Sequence, residues 1–184
     1  MARWMVVSSM TVVLAMVAGA RSASAAGASE SRGIDAISAY AGTWKIDTQH
    51  SDTPFSKASH EQTMLRNECW RSGEYYACNQ YVDGESKVLL VFTFHAADQS
   101  YTSYQIPADG TKAGLGTLRI AGNVWTFPWE TKEGEKTTYF RVVNVFTTPT
   151  KIEYRQEFSP DKNKWTVMAR GVETKIASSP PTSR

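Results

Sequence analysis

Two cysteines, three histidines and a few alternating carboxylates are the residues of this chain that could do chemistry. Cys69 and Cys78 lie in "NECWRSGEYYACNQY" and are the only cysteines. A redox pair reads Cys-x-x-Cys, and Cys-x8-Cys is not a zinc spacing. Counting inward pairs 70 with 77, 71 with 76 and 72 with 75, leaving Gly73-Glu74 as a two-residue loop of the kind a type II′ hairpin takes. Ser72 and Tyr75 then form the first hydrogen-bonded pair, so 69 and 78 fall on a non-hydrogen-bonded pair, where side chains are closest and a disulfide is in reach. The pair is therefore expected to be a staple.

His50, Asp52, His60 and Glu61 fall in or beside the first long loop. Two imidazoles and two carboxylates could hold a divalent metal, but their irregular spacing fits a solvated loop better, and no metal or cofactor is expected. His95, on an apolar strand, could ligate haem; a hydrogen bond near a strand end is the plainer expectation. Glu153 and Glu157 alternate with Lys151 and Arg155 and read as solvated cross-strand charge pairs. Arg66 and Glu68 share a face with Met64 and Trp70, and with Tyr75, Asn79 and Tyr81 of the facing strand. Inward, they would orient a polar ligand head; outward, they would be a surface pair of little worth. Asn144 follows Val142 on one face of "YFRVVN", and Arg141 alternates with them; both read as rim contacts. No Ser-His-Asp signature, phosphate loop or cofactor fingerprint is present.

These residues need a frame to hold them. From Gly42 onward the chain reads as about ten short β-branched and aromatic runs, from "TWKIDTQ" to "KWTVMARGVETKI". Turn signals such as "VDGES", "PADGTK", "KEGEK" and "SPDKNK" separate them, the pattern of an antiparallel barrel or sandwich. A short helix is expected over Ile34–Ala41, with Ile34, Ile37 and Ala41 on one face. Trp125, Phe127 and Trp129 share a face, as do Ile152, Tyr154, Gln156 and Phe158. "KVLLVFTF" is apolar on both faces. Pro128 suggests a bulge or an edge, and Gly114 and Gly116 suggest a corner.

The start of the chain is unlike the rest. Arg3 precedes an uncharged, largely apolar run from Met5 to Ala18, and "RSASAA" supplies small residues at a peptidase spacing. Residues 1–26 therefore read as a secretory signal peptide. The run is too short for a stable membrane span, and export would favour the disulfide. An arm over 27–33, one domain over 34–176 and a loose tail over 177–184 follow. Of 20 basic and 18 acidic residues, Arg3 and Arg21 lie in the leader, so the remainder is neutral. A neutral chain argues against a nucleic-acid partner.

A helix followed by Gly42-x-Trp44 at the first strand of an all-β chain resembles the lipocalin and calycin barrels. The pieces "GTWKID", "NECWRSGEYYACNQ", "GTLRIAGNVWTFPWE" and "TTYFRVVNVFTTPTKIEYRQEFSPDKNKW" are similar to a family of exported bacterial lipocalin-like domains of unknown function. The chain departs from that family at His95-Ala96, where relatives often carry Tyr-Asp. The resemblance implies a single antiparallel barrel and brings no catalytic residues. The resulting expectation is an exported, periplasmic or secreted, all-β lipocalin-like barrel that binds a small, largely apolar ligand without catalysis. Arg66, Glu68, Trp125, Phe127 and Tyr154 are the expected lining. The alternatives are a cyclase- or isomerase-type enzyme, with Glu68 or a tyrosine as acid or base, and an accessory protein whose barrel is filled by its own side chains. The enzyme reading requires a cavity carboxyl with a raised pKa.

Overall fold

The computed structural model describes residues 33–178. The expected leader over 1–26, nearly all of the arm and residues 179–184 of the tail lie outside this range. Ten strands follow one another in antiparallel order: β1 (Gly42–His50), β2 (Ser59–Ser72), β3 (Tyr75–Val82), β4 (Glu85–His95), β5 (Ser100–Pro107), β6 (Gly114–Ala121), β7 (Val124–Glu133), β8 (Lys136–Thr148), β9 (Lys151–Ser159) and β10 (Thr166–Ala177). Each pairs with its neighbour, and β10 pairs with β1, so the sheet closes into a barrel with no free edge strand.

One end is floored. The segment Ile34–Tyr40 is a 3₁₀ helix. Its three-residue period aligns Ile34, Ile37 and Tyr40, which replaces the expected helix face of Ile34, Ile37 and Ala41. Ile37 and Trp44 are fully buried. The Trp44 indole N–H donates to the Tyr40 carbonyl at 2.9 Å. Trp44, Trp125 and Phe146 pack edge-on and tilted beneath the Tyr40 ring. Gly42 has φ 128°, and a Cβ there would stand 2.7 Å from the Ala177 carbonyl. The glycine of Gly-x-Trp is thus what lets β1 start hard against the end of β10.

The hairpin count holds in space. Cys69 pairs with Cys78 and Ser72 with Tyr75, and the disulfide is formed. Both sulfurs are buried on the inner face. Outside the barrel, Arg141 and Arg155 both donate to the Glu157 carboxylate, at 2.6 and 2.8 Å. Glu157 is only 6% exposed, so it is not the solvated partner its alternation suggests. The β9–β10 turn folds back and lays the Trp165 ring 3.9 Å from the Arg141 guanidinium, covering one side of the ion pair.

One seam is short. β6 and β7 share only three residue pairs, Arg119–Thr126 through Ala121–Val124, all next to their turn at the floored end. Beyond Thr126, β7 hangs on β8 alone. Pro128 lies in this unpaired stretch, where its missing N–H leaves no ladder bond unmade. β6 runs as a continuous strand through Gly114 and Gly116, with no register shift against β5. A Cβ at Gly116 would meet the Ser103 hydroxyl at 2.7 Å, so a side chain there would require that hydroxyl to turn away.

The staple closes a short loop, so it removes a modest amount of unfolded-chain entropy. Reduction, or Cys69→Ser with Cys78→Ser, is expected to lower unfolding free energy by about 2–3 kcal/mol. Equilibrium denaturation with and without reductant measures it, and an unchanged midpoint would contradict the entropic account.

Candidate functional site

The inner face is set by the register. Trp44 pairs with Leu65, Ile46 with Thr63 and with Glu173, and Ile152 with Glu173, so Glu173 points into the barrel. Two bulges permit this. One separates Thr43 from Trp44 and the other Val167 from Ala169. On β8, two strands from β10, Asn144 pairs with Trp125 and with Tyr154, which turns it inward as well.

Above the aromatic floor these side chains form a polar layer. The Asn144 amide donates to the Tyr40 hydroxyl. The Asn67 amide donates to the Tyr40 carbonyl at 3.2 Å, and Gln80 donates to the Asn67 side-chain oxygen at 3.2 Å. Two oxygens in the layer have no protein donor, Asn144 Oδ1 and Glu173 Oε2. Glu173 is 7% exposed. Both residues line a 130 Å³ chamber whose other walls include Tyr40, Leu65, Gln80 and Phe92.

A larger chamber of 580 Å³ adjoins it, sharing Gln80, Leu90 and Phe92. Val88, Phe127, Val142 and Trp129 give it an apolar wall, and Gln105 and Ser103 add polar groups. It lies along the unpaired side of β6 and β7, with Leu115, Gly116 and Thr117 opposite Phe127, Pro128 and Trp129. At the barrel end away from the helix, Phe55 of the β1–β2 loop packs edge-on against Phe140 and Phe158, and Trp129 stacks on Phe140.

The electrostatics follow from burial. Among the described residues no cation offsets Glu173, and burial pushes its carboxyl from an ordinary 4.5 up to about 7. The Tyr40 phenol is raised well above its usual value, first by burial and then by the Glu173 charge. Burial also raises Tyr154, whose hydroxyl bonds Thr48 across Gly171. Gly171 has no room for a side chain: a Cβ would stand 2.2 Å from the Asp47 carbonyl and 2.7 Å from the Tyr154 ring.

The expected lining residues separate into two groups. Trp125 belongs to the floor, Phe127 to the larger chamber, and Tyr154 faces inward over Gly171. Arg66 and Glu68 do not face the cavity. They lie on the outer face, paired with each other, with the Arg66 guanidinium 4.1 Å from the Tyr81 ring centre. Asn67 between them is the residue that turns inward. Asn144 is interior rather than a rim group, and Arg141 is outside.

The histidines spread apart. His50 bonds Glu61 at 3.1 Å, His60 bonds Asp47 at 2.9 Å, and His95 bonds Thr102 at 2.8 Å near the end of β4. Among the described residues no three His, Cys, Asp or Glu side chains gather as a metal site would require.

Tyr40 and Glu173 escape a reading of the sequence. Glu173 sits in "GVETKI", where Val172, Thr174 and Ile176 look like the inner face; the β10 bulge reverses that face. The only advance signal for Tyr40 was its place ahead of Gly42-x-Trp44.

The closed ten-strand antiparallel barrel fits a lipocalin-like barrel in general. No family model and no curated protein matches the chain. Among solved structures it is similar to the crystal structure of Rv2717c from M. tuberculosis, at 11% identity and a TM-score of 0.43 over 77% of this chain and 96% of that one.

Two outcomes follow from the geometry. The folded state holds the Glu173 proton more tightly than the unfolded state, so ionising it costs stability. That cost is absent below pH 4.5, grows between pH 4.5 and about 7, and is complete above, at on the order of 3 kcal/mol. Relative to Glu173→Gln, the wild type should therefore lose stability across that window, read from thermal melts at a series of pH values. Parallel curves would refute the buried ionisation. Gly171→Ala should destabilise by about 2–4 kcal/mol through overpacking, measured by denaturant unfolding.

Proposed function

We propose that this protein binds a small, largely apolar ligand inside the barrel, with the polar head of the ligand in the Tyr40–Asn144–Glu173 chamber and its body in the larger one. The observation that carries this reading is Glu173, a carboxyl nine-tenths buried, without a protein partner, facing a cavity with apolar walls. A buried carboxyl is costly unless something meets it. Binding proceeds by removing the ligand's apolar surface from water against Phe127, Val142, Leu90 and Phe92, while the polar end sets orientation. The two chambers together lie in the volume range of small-molecule sites. They also speak against a barrel filled by its own side chains.

We place the protein with the exported bacterial lipocalin-like domains it resembles, acting in the periplasm or outside the cell. The leader pattern supports this, and the disulfide is compatible with an oxidising compartment. Among the described residues no helix is long and apolar enough to cross a membrane.

One observation favours a second reading, an acid–base enzyme in the same cavity. Glu173, raised to about 7 and near the Tyr40 phenol, has the property a general base or acid needs at neutral pH. In that case Glu173→Gln would keep ligand binding and lose turnover.

Native mass spectrometry of protein purified from its source, beside an organic extract, tests the leading reading. A discrete extra mass that extraction removes is expected. Val142→Trp, which fills the larger chamber, should abolish that mass while the fold survives by circular dichroism. A bare mass in repeated preparations, with no uptake of apolar dye by the native fold, would overturn the reading.

A further inference from the structure

Resting on the binding reading above, we infer that the polar chamber is a site for an ammonium head, so that the ligand is an amine carrying an apolar chain. The chamber presents acceptors and lacks a charged donor. The Asn144 amide gives one N–H to Tyr40, while its buried Oδ1 has no donor. Glu173 Oε2 is likewise buried and unmet, and both residues line the chamber. The Asn67 oxygen is taken by Gln80. The nearest cation on β10, Lys175, is engaged elsewhere. Its ammonium donates to the Ala39 carbonyl at 3.1 Å and lies 4.6 Å from the Trp44 ring centre, at the floor.

The head group must therefore bring hydrogen-bond donors and, to offset an ionised Glu173, positive charge. A carboxylate head would set like charge against Glu173 and a lone pair against Asn144 Oδ1. A hydroxyl head carries a single proton and would leave one of the two oxygens unmet. An ammonium carries three donors and meets both, and a charge-assisted bond of this kind in a water-poor site outweighs a neutral one. The geometry beyond the head agrees. The chamber is small, and its shared walls with the larger one, Leu90 and Phe92, are apolar where a methylene chain would leave the head.

The test uses decylamine, decanol and decanoate against the purified protein by isothermal titration, all below their aggregation limits. The unaltered protein is expected to bind decylamine about tenfold or more tighter than decanol, and decanoate weakest. Glu173→Gln, checked for fold by circular dichroism, should erase the preference of amine over alcohol. Glu68→Gln on the outer face should leave it intact. Equal affinity for all three, or preference for decanoate, would overturn the amine assignment while leaving an apolar cavity standing. No binding of any probe would overturn both the amine assignment and the cavity reading. The order of affinities in the unaltered protein decides the question even where the variant does not fold.

Discussion

The carbonyl of Tyr40 is the joint on which this molecule turns. It ends the 3₁₀ helix, and it accepts one donor from Trp44 on β1 and another from Asn67 on β2. A carbonyl at a helix end needs partners from outside the helix. Here those partners belong to the barrel wall, so satisfying the helix also fixes it as the floor. The same residue sends its ring upward among Trp125, Phe127 and Phe146. Its hydroxyl then meets Asn144 from β8. One residue therefore seals the barrel on its backbone side and furnishes the cavity on its side-chain side.

The polar layer opposes stability. Packing alone would fill this depth with apolar side chains, as the aromatic floor below it is filled. Instead the layer holds a carboxyl, three carboxamides and a phenol, only partly satisfied by one another. An incompletely bonded polar network in a low-dielectric interior is costly, and such costs concentrate where a protein meets another molecule.

Much of the frame was legible from local pattern. Turn residues marked the strand breaks, Gly73-Glu74 fixed the hairpin register, and that register placed Cys69 opposite Cys78. Alternation put Trp125, Phe127 and Tyr154 inside. It could not settle Arg66 and Glu68, because Met64 and Trp70 on their face are as apolar as Leu65 and Cys69 on the other. It misjudged Glu157, whose cover comes from a turn, and Glu173, whose face is decided by a bulge. In each case the deciding contact joins residues distant in sequence or depends on a one-residue slip. Neither leaves a periodic trace.

The seam between β6 and β7 gives the wall a hinge line. Every other seam must break several ladder bonds to part, whereas here three residue pairs hold two strands together. Local opening is cheapest where cross-strand bonds are fewest, so the barrel can unzip sideways while its floor, staple and remaining seams stay intact. A guest could then come and go through the flank while Phe55 stays wedged between Phe140 and Phe158 at the end. For a guest of the proposed kind, residence time would be governed by one weak zipper, separately from affinity.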